Sequence, residues 1–363
     1  MEQYWVWLSS VEGIGPKRFY QLISIYEDAR TVWDNVGDDE MRFLGPQTLR
    51  KLRHARDERY FYELFSRLEK LDIRALPRIA GGYPACLSDI FDPPPTLYLR
   101  GDCPLDGERN FAIVGSRRCT RDGQRAAREF AEVLAREEVC VVSGMAYGVD
   151  TAAHEGALIG MGRTVAVLGC GADVIYPAEN EALYRRIIEN GGAIVSEYLP
   201  GTQPKPGNFP ARNRIISGLC SGVLLVEGAE RSGAMITINC AAEQSRDVFA
   251  VPGSIYSPLS AAPNRMIVEG AIPAISGWDI LEHYRWAQRP DARQSAPRPT
   301  LSLDPEDDQI VRPLLDQELS FDELSAQIDF PIAQLNARLT MLELRGIVAK
   351  LPGGLYRAEG IAR

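Results

Sequence analysis

Six short apolar runs, separated by helix-length segments, do most to limit what this chain can become. They cover residues 112–114, 139–142, 164–168, 193–195, 222–226 and 248–251. Nearly unbroken Val, Ile and Leu, without apolar–polar alternation, marks parallel strands covered on both faces. Their alternation with helices predicts an α/β fold built on a Rossmann-like, doubly wound, mainly parallel sheet. Each run ends in small residues: Gly115-Ser116, Ser143-Gly144, Gly169, Glu227-Gly228 and Pro252-Gly253. In a doubly wound sheet these ends gather along the carboxyl edge, where ligands bind. Backbone free of bulky side chains lets N–H groups and helix N-termini face an anion there, and the expected anion is phosphate.

The segments on either side read differently. Residues 1–76 have helical periodicity, interrupted at Val11-Glu12-Gly13-Ile14-Gly15-Pro16 and followed by Lys17 and Arg18. This is a helix-hairpin-helix (SAM-like) pattern, whose hairpin amides suit a DNA phosphate. A weaker copy is Phe43-Leu44-Gly45-Pro46; the alternative is a helical bundle in which the glycines only turn the chain. Residues 77–286 form the sheet domain, entered through a proline-rich strap that Tyr83, Leu87, Ile90 and Tyr98 tack down. Residues 287–303, rich in Pro, Arg, Ser and Asp, read as a linker. Residues 304–363 give three short helices and a hairpin around Gly353-Gly354, a winged helix. Its third helix, 332–345, offers Arg338 and Arg345 beside Glu343, which favours protein contact or packing over duplex reading.

The net charge of −9 excludes a protein coated in basic surface, so any nucleic-acid contact must come from a local cluster. Seven scattered cysteines, never in a C-x-x-C pair, suggest reduced thiols in a cytoplasmic protein. Three histidines stand apart from them, so neither a metal nor any other cofactor is expected. The start lacks a basic signal segment and no long apolar span follows, so no membrane association is expected.

Ser116 and Arg117 follow the first run, where a hydroxyl, a helix dipole and a guanidinium fork suit a phosphate. The alternative for Arg117 is an ion pair with Asp122. The 143–150 stretch is glycine-spaced but is not G-x-G-x-x-G, and no acidic residue follows at the ribose offset, which disfavours a dinucleotide. Asp150 or Thr151 reads as an N-cap, and His154 with Glu155 as a structural pair behind the loop. Phe209-Pro210-Ala211-Arg212-Asn213-Arg214 opens a helix. Phe209 can stack on a base or fill core, Asn213 can bond a base or phosphate, and Arg212 and Lys205 are expected to face solvent. Arg214 is expected to be partly structural, with Glu227 as one partner. Ser232-Gly233 forms the last phosphate-type turn. Phosphoribohydrolases on a similar sheet carry a catalytic Glu three residues after the Thr of this turn; here Cys240 follows Thr237. A nucleotide-binding enzyme of that type remains the alternative, but the edge reads as non-catalytic.

Together these motifs resemble the DNA-processing protein A (DprA, or Smf) family. The matching pieces are YPACLSDIFDPPPTLYLRG, IVGSRRCT, VVSGMAYGVDTAAHEGAL, TVAVLGCGADVIYPAEN, FPARNRIISGL and RSGAMIT…VFAVPG. The resemblance implies a homodimeric protein that binds single-stranded DNA, protects it and loads the RecA recombinase during natural transformation. By similarity Arg117, the Ser143-Gly144 turn, Lys205, Phe209, Arg212, Asn213 and the Ser232-Gly233 turn would line the strand. With Gly115, Ser116, Arg118, Ala146, Gly169 and Arg214 they complete the expected DNA-binding set. Two departures stand out: the family's G-T-N turn is Ala262-Pro263-Asn264, and Ala178 stands where relatives often carry a lysine.

Overall fold

A computed structural model describes residues 1–107, 109–289, 303–315, 317–351 and 353–358. It divides into two compact units, Met1–Arg289 and Pro290–Arg363. In the first, helices Glu2–Ser10, Pro16–Tyr26, Ala29–Asp34, Gly45–Ala55 and Glu58–Lys70 pack around Trp7, Leu8, Phe19, Leu22 and Leu52. Gly13 turns the first hairpin with φ +95°. Arg18 does not point away from it: its Nη1 donates to Gly13 O at 2.8 Å and to Thr48 Oγ1 at 3.2 Å.

The sheet has nine strands: β1 (Arg74–Pro77), β2 (Thr96–Gly101), β3 (Asn110–Val114), β4 (Cys140–Ser143), β5 (Thr164–Leu168), β6 (Ala193–Ser196), β7 (Gly222–Leu225), β8 (Asp247–Ala250) and β9 (Ile272–Pro273). Their order is β1-β2-β6-β5-β4-β3-β7-β8-β9. From β6 to β9 all neighbours are parallel, whereas β1 and β2 add an antiparallel edge. The six apolar runs become β3 to β8 with ends shifted by at most two residues. The strap contributes two strands to the sheet, and β1 straddles residues 76 and 77. Thr96 to Leu99 are all buried, so no alternation announced β2, and Pro77 is tolerated because β1 is an edge. Trp5 Nε1 donates to Pro95 O at 2.5 Å, which ties the first helix to this strap.

From β3 the chain winds outward through β4, β5 and β6, then crosses back to β7 on the other side of β3. Val114 of β3 pairs with Leu225 of β7. That reversal is the topological switch point, where loops from two directions part and leave a crevice.

In the second unit, helices Pro305–Leu314, Phe321–Gln327 and Ile332–Leu344 pack on a small sheet of β10 (Leu319–Ser320), β11 (Val348–Lys350) and β12 (Leu355–Ala358). Ser320 and Glu323 form the expected capping box, and Leu335, Leu339 and Leu342 are buried. On the third helix, Arg338 bonds Asp304, Glu306 and Asp307, and Arg345 also bonds Asp307. Acidic partners thus neutralise both arginines of the helix that would enter a groove. Residues 290–302, most of the expected linker, lie outside the described residues.

Candidate functional site

A cavity of about 350 Å³ opens at the switch point, beyond the carboxyl ends of β3 and β4. The β3 loop forms one side. Ser116 N donates to Glu227 O at 2.7 Å, Val149 N to Ser116 O at 3.2 Å, and Arg118 N to Ser116 Oγ at 3.1 Å. The loop is thereby pinned to both the β7 loop and the helix Val149–Ile159. Arg117 has no ion pair with Asp122; its guanidinium lies over the Phe209 ring, 5.4 Å from the centroid. Phe209 opens the helix Asn208–Gly218 on the opposite side.

The floor is built from buried charge. Gly148, not Asp150 or Thr151, is the N-cap of the helix Val149–Ile159. Asp150 is free to accept hydrogen bonds from Gly144 N at 3.2 Å and Ala146 N at 3.3 Å. Arg212 Nη1 donates to Gly144 O at 2.8 Å and also to Val167 O. Gly144 is required here, because a Cβ would stand 2.7 Å from Arg212 Nη1. Arg212 is only 3% exposed, so the expectation that it faces solvent is corrected. Its side chain is held inward by these two backbone carbonyls. Burial lowers the Arg212 guanidinium to about 10, with Asp150 opposing and Arg117 reinforcing the fall. It remains a cation at neutral pH, beneath the cavity. Burial also raises the Asp150 carboxyl, which Arg212 counteracts.

Behind the floor, His154 does not pair with Glu155, which instead bonds Arg128 at 2.8 Å. His154 Nδ1 lies 2.7 Å from Thr164 Oγ1, whose hydroxyl donates to Val141 O. The single hydroxyl proton is committed, so Nδ1 carries the hydrogen and donates. Burial, and then the Arg212 charge, push this imidazole down to about 3. A folded-state value below the ordinary 6.5 means that the unfolded chain binds the proton more readily. Stability is therefore full above about pH 6.5 and is lost towards about pH 3. At pH 5 the loss is about 2 kcal/mol, from 1.5 pH units at about 1.36 each. Urea unfolding at pH 7 and pH 5 should show this drop in the wild type and a smaller one in His154→Gln. Asp150 works in the opposite sense in both proteins, so equal drops would remove His154 as the cause.

The third side is the turn before the helix Ala234–Glu243, where Asn213 Nδ2 donates to Gly233 O at 3.4 Å. Of the expected set, Gly115, Ser116, Arg117, Ala146, Phe209, Arg212, Asn213, Ser232 and Gly233 line the cavity. Gly144 and Gly169 line a smaller adjoining hollow, which shares Arg117, Ala146, Phe209 and Arg212 with it. The other four stand elsewhere. Ser143 is fully buried, its Oγ donating to Ile113 O at 2.7 Å. Arg118 and Lys205 are exposed outside both linings. Arg214 is buried and bound to Glu197 and Asp92, while Glu227 takes Thr120 N and Oγ1 at 2.8 and 2.6 Å. The sequence reading missed Tyr147 and Tyr176, which border the smaller hollow. Loop tyrosines carry no periodicity, and only the neighbouring glycine turn and the Tyr-Pro step pointed near them.

Asp150, the carboxylate in the cavity lining, accepts from the two backbone amides already described. Among the described residues no cluster of three or more His, Cys, Asp or Glu is spaced to hold a metal ion. No helix among them is long and apolar enough to cross a membrane.

Comparison with known proteins finds a match to the family of DNA recombination-mediator protein A over residues 76–285 and to the DprA winged helix domain over 294–354. Protein Smf of Escherichia coli is 38% identical over 297 residues, 80% of this chain and 79% of that protein. DNA processing protein DprA of Streptococcus pneumoniae is 45% identical over 204 residues, 56% of this chain and 72% of that protein. The solved Streptococcus pneumoniae DprA superposes with TM-score 0.67 at 34% identity, covering 78% of this chain and 98% of that one. A Helicobacter pylori DNA processing protein A, described for its single-stranded DNA binding mode, gives TM-score 0.53 at 30% identity, covering 59% and 95%.

Proposed function

Because this chain belongs to the DNA recombination-mediator protein A family, we propose that it binds single-stranded DNA across the cavity at the switch point. The observation that carries this reading is the pairing of an exposed Arg117, held over Phe209, with a buried Arg212 cation beneath a glycine-lined floor. On a chain of net charge −9 this is local positive potential set beside aromatic surface, the combination that suits an unpaired strand. The Helicobacter pylori relative is described as binding such DNA. The protein acts by binding and not by catalysis, protects incoming strands and loads the RecA recombinase onto them during transformation. It does so as a cytoplasmic homodimer. Free cysteines throughout fit a reducing compartment. Exposed Ile255, Tyr256, Val268 and Ile275, in the segments flanking β9, supply apolar surface for self-association.

Arg117→Ala is expected to weaken binding to every single strand alike by about tenfold or more, the size of one charge-assisted hydrogen bond. The log–log salt slope, about −2 to −4 for three to five phosphate contacts, should become shallower by about 0.7. Fluorescence anisotropy with poly-dT from low to moderate salt measures both; wild-type affinity and slope in the variant would refute the site. Recombinase assembly on single strands should be faster with the protein present, and no acceleration would refute the loading role.

A further inference from the structure

Phe209 is not a bare ring awaiting a base. Arg117 lies over it, and the Tyr176 ring meets it at 5.4 Å with a 39° tilt. The more exposed rings of this corner are Tyr176 and Tyr147, 40% and 42% exposed, whereas Phe209 is half-buried. Both border the smaller hollow that continues the main cavity past the Arg117–Phe209 wall. Tyr147 is held in place, because its hydroxyl donates to the Glu179 carboxylate.

The electrostatics change across that wall. On the cavity side stand the Ser116 loop, the Ser232-Gly233 turn and the start of the helix Ala234–Glu243, all suited to an anion. On the tyrosine side the lining keeps Arg117 and the buried Arg212, both shared with the cavity, and adds the two tyrosines. Glu179 adds an exposed carboxylate at the Tyr147 end, and the Tyr147 hydrogen bond holds that carboxyl below its usual value.

We propose that Tyr176 and Tyr147 form a base-stacking subsite, which takes the base of the nucleotide next to the one whose phosphate occupies the main cavity. This assignment rests on the single-stranded DNA reading above and adds that the strand turns its bases, and not its backbone, towards the tyrosines. Stacking uses the π-face common to all four bases, so the subsite grips without selecting sequence.

The test compares an ordinary dT oligonucleotide with one of equal length whose sugar–phosphate backbone lacks bases. Tyr176→Leu keeps apolar bulk against Phe209 but removes the ring. It is expected to weaken dT binding by about 5-fold or more, the lower end of one stacked base. It should leave binding to the base-free strand and the salt slope unchanged, and Tyr176→Phe should bind dT as wild type does. Tyr147→Ala, at an exposed position, provides a second variant with the same signature if Tyr176→Leu folds poorly. Equal weakening on both strands, or none on either, would overturn the subsite. Arg117→Ala, run alongside, separates this from failure of the site itself. A shallower slope there with no tyrosine effect refutes only the stacking, while an unchanged Arg117→Ala refutes both.

Discussion

Gly148→Ala is expected to lower both the stability of the protein and its affinity for single-stranded DNA, the second more than the first. Gly148 sits at φ +78° and ψ −120°, a backbone region in which an L side chain is strained by about 1–3 kcal/mol. An added Cβ would meet Ser116 O and come within 2.8 Å of Arg117 O, both rigid backbone atoms. Relief requires the Ser116-Arg117 loop to move away from the helix that it caps through the Val149 N to Ser116 O bond. That loop carries the guanidinium on which binding depends, so a shift of the backbone misplaces it. Thermal unfolding should fall by several degrees, at about 2–4 °C per kcal/mol for a unit of this size. Gly156→Ala is the control. Its Cβ would clash with the Arg128 carbonyl oxygen and press on Ala131 at 2.9 Å, both outside the cavity lining, so it should destabilise while its folded fraction binds DNA normally. If Gly148→Ala melts and binds as wild type, the loop is not pre-set by this contact.

The contrast between what sequence revealed and what it hid follows from the range of the interactions. The parallel strands were legible because burial on both faces writes itself into consecutive residues of each run, as in 164–168. The glycine turn at 115 was legible because Val149 and the Glu227 carbonyl leave no room there for a side chain. Arg212 was misread as solvent-facing because its partners, Gly144 O and Val167 O, are 68 and 45 residues away. No local pattern separates a guanidinium that reaches into a floor from one that reaches into water. Asp150 passed for a cap although its partners are local, because its carboxylate serves the turn that precedes it and not the helix that follows. Phe209 lines the cavity, and its engagement by Arg117 and Tyr176 depends on three separate loops converging. Charge identity can be read along a chain; the partner that fixes its role cannot.

Arg214 carries the largest stability effect. Its Nη1 and Nη2 fork onto Glu197 at 2.8 and 2.7 Å, and its Nε reaches Asp92 at 2.9 Å. Both side chains of the Arg214–Glu197 pair are only 9% exposed. Burial opposes the charge on Arg214, yet Glu197 and then Asp92 raise the guanidinium above its ordinary value. Glu197→Ala leaves the buried guanidinium with only the half-exposed Asp92 as a carboxylate partner, so it should cost about 3–5 kcal/mol, a large part of the total stability of an ordinary protein. Replacing both, as Arg214→Met with Glu197→Leu, removes the stranded charge and should recover most of that loss. The double variant also decides whether Arg214 touches DNA. The residue joins the helix Asn208–Gly218 to β6 and the strap and does not line the cavity, while Phe209 and Arg212 on the same helix do. Once folded, the double variant should bind single-stranded DNA with the wild-type salt slope. A slope shallower by about 0.7, the signature of one lost phosphate contact, would return Arg214 to the DNA-binding set and show that the strand extends beyond the cavity to this side of the helix.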